Sequence, residues 1–489
     1  MGHSAPGEDM SAADTIAVDP HSVAPPERSL AMRVAGTAVC VIVPLAIGLL
    51  PFPIEANTQL ALAITSFMIL AWMTNIMDYA AAGLVGCALY WATGVVEPEV
   101  AFEGFANDTT WFVLGAILLG LIATKSGLPQ RIGARIMTAV GSSYSMILLG
   151  LIVTDFALTF VVPTGAGRLV IMATIGLGII KLFDAPANSN IARGIFLIIT
   201  YTAAIFDKMI IAGAGAITAR GAIRDYGGVD ISWSTWFMAF LPCALLTVIA
   251  AWKITLWLFP PEIKGLDEKR MQQLREEMKV NIPWTPKTIR AALIVLGAIT
   301  VWMTDQFHDI DASLVAFGAS MVALLPFVGV MDIEDIKKTN LMPFFFVGAA
   351  LSMSAVLRET GGLELLTNTV FSGLEPLLSN DVVAVPVLYW GAFLYHFFLA
   401  SELSMLATSL PILMGVAKQH MLDPQWIGLV WSFAAGGKLF VYQSAVLVVG
   451  YSYGFFRHTD MIKLGAALTI FEFFALALTV AFWWPIIGL

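Results

Sequence analysis

Lysine is a costly residue to place in an apolar run, and this sequence places two of them alike. Lys208 lies five residues before Gly213, and Lys438 lies five residues before Gln443. Each leads into a small-residue segment, Gly213–Ile217 in one case and Gln443–Leu447 in the other. Ionisable side chains inside membrane-length apolar stretches are functional by default. An ammonium there can hold a carboxylate, stand in for a bound cation, or neutralise a structural acid. Asp155 and Asp207 in the first half and Glu402 in the second are the acids within reach in sequence or by register. Arg168 presents a planar fork of donors that suits a carboxylate, sulfonate or phosphonate. The same fork would serve an ion pair with Asp155. His396, five residues before Ser401, could relay protons, although a lone histidine beside an apolar run more often packs. No paired aspartates, HExxH or Ser/His set stands out. No catalytic residue, metal site or cofactor is therefore expected, and an intramembrane enzyme is a remote reading.

The chain that must position these residues is unusually apolar. Of 489 residues, 58% are hydrophobic and 12% charged, against roughly 25% charged in soluble domains. The charges are clumped and sum to −9, which leaves no basic footprint for nucleic acid. Three cysteines, Cys40, Cys87 and Cys243, sit singly in apolar stretches and suggest neither a metal site nor a disulfide framework. The expectation is an all-α polytopic membrane protein. With roughly 20 residues per helical crossing, spans fall near 32–50, 57–74, 78–96, 109–125, 194–212, 234–259, 290–307, 312–330, 343–357, 424–441 and 463–486. Two further apolar blocks, 145–180 and 383–418, are interrupted at Pro163-Thr164-Gly165-Ala166-Gly167 and at Ser401-Glu402. Each block could be two spans or one re-entrant helical hairpin.

Charge placement sets the topology. The segment Glu262–Arg290 holds seven Lys/Arg against five Asp/Glu, which puts it in the cytoplasm with Arg28, Arg33 and the turn Arg457–Lys463. Eleven spans plus two hairpins satisfy this, with the N-terminus cytoplasmic and the C-terminus outside, and counting both blocks as double spans keeps the same parity. The divisions are a disordered leader (1–30), a first transmembrane helix (31–56), a first repeat (57–261), a cytoplasmic linker (262–289) and a second repeat (290–489). The Trp residues 72, 302, 431, 483 and 484 anchor or pack the helices.

The halves resemble each other. Ala71-Trp72-Met73-Thr74 recurs as Val301-Trp302-Met303-Thr304, and Phe112-Val113-Leu114-Gly115-Ala116 as Phe346-Val347-Gly348-Ala349. Lys125-Ser126-Gly127-Leu128 aligns with Glu359-Thr360-Gly361-Gly362, at offsets of 230–237 throughout. Five spans per half, an odd number, make the repeats inverted. Inverted repeats with broken helices are the architecture of secondary transporters, whose site lies where the breaks meet. A channel would need a continuous polar pore, and the helices carry too few polar positions to line one.

Over roughly residues 60–489 the sequence resembles the divalent anion/sodium symporters, elevator-type carriers of dicarboxylates, citrate and sulfate. The resemblance rests on Gly104-Phe105-Ala106-Asn107, on Leu114-Gly115 and Lys125-Ser126-Gly127-Leu128, on Leu258-Phe259-Pro260-Pro261-Glu262, and on Asp460-Met461-Ile462-Lys463-Leu464-Gly465. It implies a homodimer through a fixed scaffold, and a moving transport domain that carries the site. The site motifs depart from the family. Its hairpin tips read Ser-Asn-Thr, where this chain has Thr164-Gly165-Ala166, followed by Arg168, and Ser401-Glu402-Leu403. The sodium-ligating hydroxyls expected four residues before each tip are replaced by Phe160 and Phe397. The unwound Thr-Pro-Pro-Asn segments align to Gly213-Ala214-Gly215-Ala216 and Gln443-Ser444-Ala445-Val446.

Thr164, Gly165, Ala166, Arg168, Gly213, Ala214, Gly215, Ser401, Glu402, Leu403, Gln443 and Ser444 are the expected substrate contacts, and Lys208, Lys438, Glu402, Asp207 and Asp155 the expected coupling groups. The resulting expectation is a plasma (inner) membrane carrier of small carboxylate-type anions. It would be independent of sodium and driven by protons or by exchange, with the lysines as tethered cations. The alternative is ordinary sodium-coupled di- or tricarboxylate symport.

Overall fold

The computed structural model describes residues 30–278, 283–308, 310–370, 375–378, 380–399 and 401–489. Apart from Leu30, the leader expected over residues 1–30 lies outside them. The described chain is built of helices. The first half runs α1 (Leu30–Leu49), α2 (Ala56–Thr74), α3 (Tyr79–Ala92), α4 (Asp108–Ser126), α5 (Leu128–Ala139), α6 (Tyr144–Thr159), α7 (Gly165–Leu182), α8 (Asn190–Phe206), α9 (Ala214–Ala222) and α10 (Trp233–Leu258). A surface helix, α11 (Glu268–Glu277), follows in the charged linker. The second half runs α12 (Pro286–Met303), α13 (Ala312–Leu324), α14 (Met342–Glu359), α15 (Gly362–Val370), α16 (Asp381–Phe398), α17 (Glu402–Gln419), α18 (Pro424–Ala434), α19 (Ala445–Ser452) and α20 (His458–Leu478).

Seven helices, α20 counted with its continuation to Ile487, are long and apolar enough to cross a bilayer by length and composition, and shorter apolar helices accompany them. One of the seven, α7, is an arm of the first interrupted block. The all-α polytopic membrane class read from the sequence is the class observed.

Packing divides the helices into two groups. In one, α1 lies on α2, α2 on α3, α3 on α14, and α4 on α12 and α13. In the other, α8 is the centre, touching α6, α7, α10 and α19, while α17 packs on α9 and α18 and α10 packs on α20. The bands between the groups are narrower, chiefly α9 on α4 and α14 on α17.

The two halves make similar bonds. The Trp72 indole donates to the Tyr79 carbonyl at the start of α3 (2.9 Å), and the Trp302 indole to the Ala312 carbonyl at the start of α13 (3.1 Å). Lys125, ending α4, pairs at 2.6 Å with Asp335 in a short helix that precedes α14. Arg358, ending α14, pairs at 2.7 Å with Glu103 in a short helix that precedes α4. Motif residues also fix helix ends. Glu262 accepts hydrogen bonds from the free N–H groups of Asn190 and Ile191 at the start of α8, which supplies partners that a helix N-terminus lacks.

Candidate functional site

Both interrupted blocks turn back at their breaks. Helix α6 of the first block ends at Thr159, and Pro163, with no N–H to donate, stops the turn that follows. The return helix α7 starts at Gly165. Thr164 stands at its N-cap position, but its side chain makes no cap bond. The cap comes from elsewhere: Asp207 Oδ1 accepts the Gly165 N–H at 2.8 Å. In the second block α16 ends at Phe398 and α17 starts at Glu402, with Ser401 Oγ accepting the Ser404 N–H at 3.1 Å. Ala400 lies outside the described residues.

The two unwound segments begin earlier than the sequence suggests. Helix α8 stops at Phe206 and α18 at Ala434, so Lys208 and Lys438 lie inside the breaks and not in the helices before them. The breaks survive in an apolar setting because side chains replace the missing backbone partners. Gln443 Oε1 accepts from the N–H groups of Leu439 (2.7 Å) and Phe440 (2.8 Å). The Trp236 indole donates to the Lys208 carbonyl at 2.9 Å, and the Tyr201 hydroxyl to those of Lys438 (3.2 Å) and Met461 (2.9 Å).

The four segments meet. A methyl group at Gly165 would lie 2.9 Å from Val446 of the second break and 3.2 Å from the Asp207 carboxyl carbon. One at Gly213 would lie 3.0 Å from Asp207 Oδ2, and one at Gly215 3.9 Å from the Glu402 carboxyl carbon. Thr164, Ala166, Asp207, Ala214, Gly215, Ser401, Glu402 and Leu403 are half-buried here, whereas Gln443 and Ser444 are buried. Ser444 Oγ caps α19 through the Val446 N–H at 3.3 Å.

Arg168 is fully buried. Its Nε donates to Asp155 Oδ1 at 3.2 Å, its Nη1 to the carbonyls of Val162 and Pro163 at 3.1 and 3.4 Å, and its Nη2 to Ala203 at 2.8 Å. Asp207 Oδ1 stands 3.7 Å from Nη1. Of the two uses the sequence left open, this geometry has the ion pair with Asp155, and the guanidinium also straps the Val162 and Pro163 carbonyls at the first hairpin tip.

The lysines reach acids in different places. Lys438 Nζ lies 2.6 Å from Glu402 Oε2 at the second tip. Lys208 Nζ lies 2.7 Å from Glu472 Oε1 on α20, 3.3 Å from the Phe433 carbonyl at the end of α18, and over the Phe433 ring. Any side chain at Gly436 would overlap this ammonium. The lysine of the first break thus fills the C-terminal end of the helix before the second, where unpaired carbonyls favour a cation. Glu472 was missed in the sequence reading, although it is the only acid in the last apolar run, and the rule that picked out the lysines applies to it. His396 is buried, with Nε2 3.1 Å from the Gln443 carbonyl.

A family model described as the sodium:sulfate symporter transmembrane region matches residues 31–489. The chain belongs to that family. The resemblance read from the scaffold motifs is borne out, and the family is one of transporters, not of enzymes. Similar proteins include a "membrane protein" of Cupriavidus necator, 25% identical over 455 residues and covering 88% of each chain. L-tartrate/succinate antiporters of Shigella dysenteriae (23%) and Escherichia coli K12 (24%) align over 483 residues, 90% of this chain and 96% of theirs. Within this symporter family, both hairpin tips of the present chain are held by its own carboxylates: Asp207 caps α7, and Glu402 opens α17 beside Lys438.

Proposed function

We propose that this protein is a secondary carrier that exchanges small dicarboxylates across a bacterial inner membrane without sodium. The observation that carries the reading is the placement of the Lys208 ammonium between Glu472 and the Phe433 carbonyl, at the mouth of a broken helix. A covalently attached cation there does the charge work of a bound ion and cannot leave. The naming of the similar antiporters for L-tartrate and succinate supports the substrate class.

Transport would proceed as an elevator. The unit of α6–α10 and α16–α20 slides against that of α1–α4 and α12–α14, in each protomer of a homodimer. The paired bonds of Trp72 and Trp302, and of Lys125 and Arg358, support two inverted repeats, 57–261 and 290–489. The basic linker supports a cytoplasmic N-terminus and an outer C-terminus.

The test is counterflow. Proteoliposomes loaded with unlabelled succinate should take up labelled succinate or L-tartrate at the same rate in sodium and in choline media. Uptake that rises steeply with sodium at fixed pH, or that needs no internal anion, would refute the proposal.

A further inference from the structure

The charged groups around the two breaks do not balance. Three cations, Arg168, Lys208 and Lys438, face four carboxylates, Asp155, Asp207, Glu402 and Glu472. Two of the pairs are sealed: the side chains of Arg168 and Asp155 are 0% exposed, and those of Lys208 and Glu472 are 5% and 4% exposed. The groups left open are Asp207, 28% exposed, and Glu402, 17% exposed, with Lys438 beneath the latter. With every group ionised, the open part of the site carries one more negative charge than positive.

That surplus sits where a dicarboxylate would bind. The free N–H groups at the start of a helix attract anions, and the start of α7 already holds Asp207. At the second tip, the Lys438 ammonium already holds Glu402. The two carboxyls, one from each half, lie along the same segment of the first break, Asp207 against Gly213 and Glu402 near Gly215. Carboxylates that face one site cannot all stay ionised cheaply, and their titrations are coupled.

We propose that Asp207 and Glu402 form a proton-carrying carboxylate pair, so that each dicarboxylate binds together with a proton. The idea rests on the exchange reading above and adds the ion it leaves open. The proton comes from water on the side the substrate enters. It forms an O–H bond on one carboxyl of the pair and returns to water when the anion leaves on the other side. Protonation on Glu402 frees Lys438 for a substrate carboxylate, and protonation on Asp207 cancels the surplus charge beside the α7 terminus. The titratable and charged neighbours of Asp207 are Arg168, Asp155, Glu402 and Lys438. Those of Glu402 are Lys438, Lys208, His396 and Asp207. Arg168 and Lys208 are held by sealed partners, which leaves the open pair as the place where the proton goes. His396 is buried beneath it, with Nε2 against the Gln443 carbonyl.

Succinate binding to the purified full-length protein, followed by calorimetry at a series of pH values in buffers of different ionisation enthalpy, counts the protons. About one proton should enter per succinate, and affinity should fall about tenfold per pH unit once the pair is deprotonated. Asp207→Asn keeps an oxygen for the Gly165 N–H and should bind succinate with little proton uptake and a flattened pH dependence. Binding by the unmodified protein without proton uptake, or an unchanged proton count in Asp207→Asn, overturns the proposal.

A substrate-free measurement separates this failure from failure of the exchange reading. Infrared titration should show a protonated carboxylic acid that disappears in Asp207→Asn or in Glu402→Gln/Lys438→Met, the latter chosen to leave no unpaired ammonium. If neither variant removes such a band, the pair holds no proton whatever the substrate is. If the band behaves as expected while no dicarboxylate binds, the carboxylate pair stands and the substrate assignment falls.

Discussion

Glu472 on the last long helix lies 2.7 Å from the Nζ of Lys208 in the first break, joining residues 264 apart in sequence. Neither is more than 5% exposed. Removing one partner of a buried pair strands the other's charge, at a cost of about 3–5 kcal/mol. Glu472→Gln should therefore lower the unfolding temperature of the detergent-solubilised protein strongly. Lys208→Met/Glu472→Leu should recover most of that loss, because replacing a whole buried pair by apolar residues is often neutral. If the double variant is as unstable as the single one, the pair is not what matters at this position.

Arg168 gives a sharper contrast with its sequence-level expectation. A substrate-holding arginine would tolerate Lys at the cost of affinity alone. Here the guanidinium bonds Asp155 and the carbonyls of Val162, Pro163 and Ala203. A lysine can reach only some of these, and each lost bond to a charged group costs about 1.5–3 kcal/mol. Arg168→Lys should reduce folded yield and unfolding temperature by more than any surface Arg→Lys control. A variant as stable as the parent, but with substrate affinity strongly weakened, would return Arg168 to the substrate.

Much of this arrangement was legible. The interruptions at Pro163–Gly167 and Ser401-Glu402 break otherwise apolar runs, and they are where α6 turns into α7 and α16 into α17. The lysines stood out because charges are scarce in such runs. Their partners were less accessible. Glu402 was within reach by register, but in the first half the acids within reach were Asp155 and Asp207, whereas the Lys208 ammonium crosses to Glu472. Sequence distance ranks neighbours along the chain, whereas α10, packed against both α8 and α20, brings position 472 to position 208. The onset of the breaks was placed late for a similar reason. Gly213 and Gln443 mark where helices restart, while the stopping points are held by bonds from Trp236 and Tyr201, distant in sequence, and from Gln443 nearby.

The hairpin tips yield a labelling prediction. Gly165 packs against Val446 and Asp207, and Glu402 beside Leu403 faces Gly215 and Lys438, so neither tip lies in an ordinary surface loop. In an otherwise cysteine-free background, cysteines at Gly165 and Leu403 should react slowly with impermeant maleimide, and saturating succinate should slow them further. Free labelling of either site from one side of the membrane, at the rate of an exposed loop control, would rule out buried tips.

The last prediction concerns the seam between the two helix groups. Arg220 on α9 donates to Asp311, which caps α13, at 2.7 Å, and pairs with Asp230 at 2.8 Å. Nearby, Arg224 binds Asp108 at the start of α4, and Asn107 donates to Asp225 at 2.8 Å. These bonds tie the end of α9 to the other group at one end of the bundle. Burial pushes the Asp311 carboxyl up, but hydrogen bonds from Arg220 and Ser313 outweigh it and hold the group at about 2. A carboxyl held below its ordinary value of about 4 contributes stability above that value. The contribution is lost as pH falls from there through about 2. Asp311→Asn should therefore melt below the parent protein at neutral pH, and the gap should close as the pH falls from about 4 towards 2. Because other carboxyls titrate equally in both proteins, the difference between the two melting curves isolates this one. A gap that stays constant across that range would mean that the Arg220–Asp311 contact adds nothing to holding α9 against α13.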